Sequence, residues 1–204
     1  GDINGIGPEI AIKALNKISS VNKTTQFILI IPENIFNSTS DLVAPKFNYR
    51  IVKDFKLKNF NSTEVNIFIT KSFKQNIGKP TALSGEAAYL ALKTSFDFLN
   101  KKLADAVVTA PVSKTALNLA GVKYPGQTEM FADWCNIKNF VMTFLSKKLR
   151  VGLYSIHIPL KQVSKSLNSR MLKSKLETIL SMLNNDMGIS NPKIAVLGLN
   201  PHAG

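Results

Sequence analysis

The sequence predicts an α/β protein, and three observations lead there. Phe27-Ile28-Leu29-Ile30-Ile31 is a continuous apolar run halted by Pro32, the pattern of a strand covered on both faces. Further strand patterns stand at residues 64–70, 105–109 and 193–199, with helical patterns between them. At residues 105–109 the apolar middle gives way to Thr109 and then to the polar turn Ala110-Pro111-Val112-Ser113-Lys114. Polarity thus arrives at a strand's carboxyl end, where open α/β sheets bind ligands.

Taken in order, the chain opens on the glycine-rich loop Gly1-Asp2-Ile3-Asn4-Gly5-Ile6-Gly7-Pro8-Glu9. Pro8 suits the first turn of a helix carrying Ile10, Ala11, Ala14 and Leu15. A helix start after a glycine loop is either an anion site or a plain tight turn. It is not the dinucleotide fingerprint, because Ile10 stands where the third glycine belongs. Residues 64–70 alternate as a strand does, and a short strand is expected near residues 49–52 in an otherwise loop-like, poorly patterned stretch over 44–63. Ser84 is placed to cap a long helix with Ala87, Ala88, Leu92 and Phe98 on its apolar side. A short helix from Lys114 to Ala120 ends at Gly121, and another begins at or near Thr128 after the turn Tyr124-Pro125-Gly126-Gln127-Thr128-Glu129. Met130, Phe131 and Trp134 on that helix read as core. Residues 140–145 and 150–155 predict an antiparallel hairpin over Ser146-Lys147-Lys148, because so short a connection cannot serve a parallel pair. A helix over about 169–183 precedes the last strand pattern, which runs into Asn200-Pro201-His202-Ala203-Gly204.

With 204 residues and 45% hydrophobic content, the chain suits one large domain or two small lobes. No apolar run reaches the roughly 18 residues of a membrane span, and no signal-peptide pattern opens the chain. The one cysteine, Cys135, leaves no internal disulfide and fits a reducing compartment. The net charge of +13, from 26 basic and 13 acidic residues, raises the reading of a basic nucleic-acid-binding protein. The lysines argue against it: they lie scattered or in pairs such as Lys101-Lys102, without the block that marks a basic tail.

Only two histidines occur, His157 beyond one predicted strand and His202 beyond another, each within two residues of a proline. Spacing alone leaves two readings open, structural loop residues or two legs of a metal site that lacks a third.

Five motifs in one order carry a resemblance. They are the opening loop, Thr109-Ala110-Pro111-Val112-Ser113-Lys114, Tyr124-Pro125-Gly126-Gln127-Thr128-Glu129, His157-Ile158-Pro159-Leu160 and Gly198-Leu199-Asn200-Pro201-His202-Ala203-Gly204. Together they resemble the 4-hydroxythreonine-4-phosphate dehydrogenase family of pyridoxal phosphate biosynthesis. The resemblance implies a three-layer α/β/α, two-lobed fold like that of isocitrate and isopropylmalate dehydrogenases. Residues 1–124 would form the first lobe and 125–204 the start of the second. It implies a cytoplasmic homodimer, with the active site at the subunit interface and neither nucleic acid nor membrane as partner. The reaction implied is NAD- or NADP-dependent oxidation of 4-phosphooxy-L-threonine, then decarboxylation to 3-amino-2-oxopropyl phosphate. A divalent metal (zinc, magnesium or cobalt) would be held by His157, His202 and a third histidine further along the family's chain. Gln127 and Thr128 match the family's substrate-binding pair, and Lys114 is a candidate for the substrate phosphate.

Three positions depart from the family pattern. Gln127 replaces a histidine, which removes a group able to carry a proton at neutral pH. Ile3-Asn4 replaces Pro-Ala. The chain is read as a fragment lacking the family's N-terminal strand and C-terminal part. The same motifs would also serve a dehydrogenase of 4-phosphorylated threonate or erythronate.

Overall fold

Helix α1 (Gly7–Ile18) begins after Ile6, with Pro8 in a first turn that has no use for its missing N–H. The computed structural model describes residues 1–22, 24–53, 64–200 and 202. The expected loop over 44–63 therefore lies partly outside the described residues, as do Pro201, Ala203 and Gly204 of the last motif. The chain divides into two compact units, Gly1–Tyr124 and Pro125–Gly204.

In the first unit, β1 (Ile28–Pro32), β2 (Tyr49–Val52) and β3 (Val65–Thr70) form a parallel sheet in the order β1-β3-β2. Helix α2 (Glu33–Leu42) joins β1 to the stretch before β2 and buries Ile35, Phe36 and Thr39. The core gathers Ile12 and Leu15 of α1, Ile31 of β1, Ile35 and Phe36 of α2, and Val65, Ile67 and Ile69 of β3.

The burial of the strands reverses the sequence expectation. The alternating strand β3 is buried at five successive positions, because it is the middle strand, paired on both sides. The all-apolar β1 is only half-buried over Ile28–Ile30, because among the described residues it pairs with β3 alone. On its other side lies a cavity of about 720 Å³, lined by β1, α1, α3 and residues 103–110. This explains a second correction. Residues 105–109 do not form the expected strand, since the cavity separates them from β1 and a strand exists only through its ladder; Val108 is almost fully exposed. Residues 193–199 likewise form no strand, and Leu197 is exposed.

Helix α3 (Ala82–Asn100) is capped by Thr81, with Ser84 as the reciprocal member of a capping box rather than the cap itself. Helix α4 (Lys114–Leu119) starts under the side chain of Ser113, which accepts from Ala116 N–H. It ends in a Schellman turn: Val122 N–H donates to Leu117 O, Gly121 N–H donates to Asn118 O, and Gly121 takes φ +81°. The two helices meet at Gly85. A Cβ there would stand 1.9 Å from Ala116 O, so only glycine lets α4 approach.

In the second unit, α5 (Gln127–Trp134) buries Met130. The hairpin is antiparallel as expected, β4 (Thr143–Leu145) with β5 (Arg150–Gly152). Helix α6 (Leu160–Ser166) was not expected, and α7 (Ser169–Ser181) follows it, capped by Asn168 and continued by one π turn, Met182–Asp186. Asn139 donates to Ser174 Oγ and Thr178 Oγ1 on α7, and Gly152 of β5 lies against Ile179. Among the described residues no helix is long and apolar enough to cross a membrane.

Candidate functional site

The opening loop and the turn after residue 109 converge, as the first unit's polar end requires. Asp2 N–H donates to Pro111 O at 2.9 Å, and Gly1 and Gly7 pack so closely that added Cβ atoms would stand 2.6 and 3.3 Å from Ala110 Cβ. The loop is fastened on its other side by Asn4, a residue without an expected role. Asn4 is 2% exposed; its Nδ2 donates to Lys79 O at 2.7 Å and its Oδ1 accepts from Asn76 N–H at 2.8 Å. Its own N–H donates to Asp2 Oδ1, and its carbonyl accepts from Gly78 N–H. One side chain thus clasps the loop to residues 76–79. Asn4→Ala removes both side-chain bonds, and because Asn76 and Lys79 are exposed and can turn to water, each loss costs about 0.5–1.5 kcal/mol. The expected result is a lower urea midpoint at an unchanged slope. An unshifted midpoint would mean the clasp is not holding the loop.

Lys114 lies in this first unit, exposed at the start of α4. Its position after the turn leaves its amine in solvent, available to an anion.

The second unit holds the denser constellation. Gly126 is the N-cap of α5, in extended backbone, and Gln127, Thr128 and Glu129 form the first turn. An acidic residue there is favoured by the helix dipole. Glu129 reaches His157: its Oε1 stands 3.7 Å from Nε2, longer than a hydrogen bond but within ion-pair range. The carboxylate side chain is 18% exposed and the imidazole 47%. Glu129 Oε2 and Gln127 Oε1 are both buried without a hydrogen-bond partner. Buried polar atoms left unmade are costly and rare; among the described residues the others are Ser40 Oγ and Asn66 Nδ2, both in the first unit.

His157 has φ +58°, in the left-handed region. Such a backbone is uncommon for a residue with a Cβ, though histidine tolerates it better than most. Its segment is fixed from behind by Tyr154, whose hydroxyl donates to Ser166 O and accepts from Asn168 N–H at the α6–α7 junction. Lys102, Asn136 and Asn191 share this left-handed backbone, so the φ value alone does not mark a site.

The structure therefore joins Gln127 and Thr128 to His157 through Glu129. His202 lies exposed in the same unit. Among the described residues no three His, Cys, Asp or Glu side chains are grouped to hold a metal ion. The donors present do suit one: an imidazole beside a carboxylate with an unspent oxygen is chemistry that zinc and similar divalent ions accept. Sequence reasoning missed Glu129 and Gly126, although both lie inside a motif it singled out.

The chain is similar to known proteins along its whole length. The family model described as pyridoxal phosphate biosynthetic protein PdxA matches residues 23–204. The chain is 35% identical to the 4-hydroxythreonine-4-phosphate dehydrogenase of Synechocystis sp., covering all of this chain and 59% of that protein. With the enzyme of the same name from Sulfurihydrogenibium sp. the identity is 31%, over all of this chain and 62% of the relative. The crystal structure of 4-hydroxythreonine-4-phosphate dehydrogenase from Klebsiella pneumoniae superposes with a TM-score of 0.86 at 28% identity, covering all of this chain and 62% of that one. That of Burkholderia phymatum gives 0.81 at 26% identity and the same coverage. The chain thus spans less than two thirds of the length of these relatives.

Proposed function

The chain belongs to the pyridoxal phosphate biosynthetic protein PdxA family, and from that premise we propose that the complete protein is an NAD(P)-dependent dehydrogenase of 4-phosphooxy-L-threonine. It oxidises the secondary hydroxyl and the product loses carbon dioxide, giving 3-amino-2-oxopropyl phosphate. The observation that carries the reading is the family match over residues 23–204, which takes in Lys114, Gln127, Thr128, His157 and His202.

When bound, a divalent metal supplies Lewis acidity at the substrate hydroxyl and NAD or NADP supplies the hydride acceptor. The chain's own residues hold and orient. Thr128 donates to a phosphate or carboxylate oxygen, and Gln127 donates and accepts without moving a proton. Lys114 offers a cation to the phosphate. His157 and His202 would hold the metal together with a third histidine from outside residues 1–204. The protein works as a homodimer in the cytoplasm, with its site at the subunit interface.

The test is kinetic. The complete protein, given a divalent metal, should reduce NAD or NADP with 4-phosphooxy-L-threonine far faster than with 4-phosphoerythronate. A large preference for the substrate without an amino group would move the assignment to the sister dehydrogenases.

A further inference from the structure

We propose that Glu129 is a positioning residue for His157, holding the imidazole in place for the divalent metal; this rests on the reading of His157 as a metal ligand. Three observations about Glu129 carry it. Its Oε1 stands 3.7 Å from His157 Nε2, and among the described residues no other basic side chain lies within 4 Å of the carboxylate. Its Oε2 is buried and makes no hydrogen bond, so the second oxygen is not spent on holding the fold. And the chain leaves room for it at Gly126, where an added Cβ would lie 2.9 Å from Glu129 Oε2 and 4.0 Å from His157 Nε2.

Gly126 has no conformational reason to be glycine. Its φ of −166° is extended backbone that any residue adopts. What the missing Cβ provides is space for the carboxylate beside the ring. Helix α5 supplies the other half of the arrangement, since its first turn favours a negative side chain at Glu129. His157 needs such a hold. Nearly half of its side chain is exposed, and among the described residues Glu129 is the one carboxylate within 4 Å of the ring nitrogens. A metal-binding histidine almost always has a carboxylate, a backbone carbonyl or water at its other ring nitrogen, and losing that partner costs about 10–100-fold in metal affinity or activity.

The experiment uses the complete protein, stripped of metal and titrated with Co²⁺ while its visible absorption is followed. Wild type and His157→Ala come first. Binding that His157→Ala abolishes establishes the ligand; no difference between them overturns the metal reading itself, and the inference with it. Two further variants then test Glu129 alone. Glu129→Gln keeps the shape and removes the charge. Gly126→Ala keeps the charge and displaces the carboxylate. Both are expected to weaken Co²⁺ binding by about 10–100-fold, with the melting temperature of the metal-free protein unchanged. If either variant binds Co²⁺ within about twofold of wild type while the His157 control fails to bind, Glu129 is not the positioning residue. A loss of affinity that only follows a loss of metal-free stability would overturn it equally.

Discussion

Replacing His157 or His202 with alanine in the complete protein should remove metal-dependent turnover while the fold survives. A Lewis-acid metal contributes several kcal/mol to the barrier, so the expected fall is roughly a thousandfold, about 4 kcal/mol. Stability and activity should separate at both sites, most cleanly at His202. His202 is exposed, so its ring contributes little to packing. At His157 the φ of +58° suits alanine less well than histidine, so a stability loss of up to about 1–2 kcal/mol accompanies that variant. A melting temperature close to wild type for His202→Ala, with turnover lost in both variants and not restored by excess metal, is the result that supports the assignment. Full activity in both variants would end it.

The largest effect on stability is expected at Gly85→Ala. Two terms compete. Alanine in a helix interior gains up to about 1 kcal/mol over glycine. Against that, the new Cβ would meet Ala116 O at 1.9 Å, Ala116 C at 2.4 Å and Leu117 N at 2.9 Å. All three are backbone atoms and cannot rotate aside, so α4 must lift away from α3. Overpacking of this kind costs about 1–3 kcal/mol, here at the upper end, and the packing term wins by about 2 kcal/mol. Ser113 and Lys114 start α4, so substrate affinity should fall with stability. Gly121→Ala is the contrast: nothing lies within 4 Å of its Cβ, and only the φ of +81° opposes it. An unfolding midpoint for Gly85→Ala at or above wild type would show that α4 is not held as described.

What was legible in the sequence was local. Gly121 ends α4 because a left-handed turn needs a residue without Cβ, and Ser146-Lys147-Lys148 can only close an antiparallel pair. Helix α2 was missed because Asn34, Asn37, Ser38, Thr39 and Ser40 are weak helix formers, and the helix exists through the burial of Ile35 and Phe36. The burial of β1 and β3 was misjudged because it depends on which strand lies in the middle, and parallel strands place that information in distant segments. Asn4 was read as a mild departure because its partners are more than seventy positions away. At the candidate site, His157 announced itself by rarity. Glu129 did not, since one glutamate in a polar turn looks like any solvated residue until the fold brings it to an imidazole.

Taken alone, residues 1–204 leave one side of β1 without a partner strand among the described residues. Ile28, Leu29, Ile30 and Ile31 present a row of backbone donors and acceptors beside an apolar cavity, with no lysine or glutamate among them to deter another strand. Such an edge templates aggregation by strand addition between molecules. What opposes it is the net charge of +13, through mutual repulsion of the copies. Salt shortens the reach of that repulsion to about 8 Å at physiological strength. The scattered lysines hold copies of this stretch apart at low salt, so added salt should drive its self-association up, and light scattering that does not rise with salt would refute this.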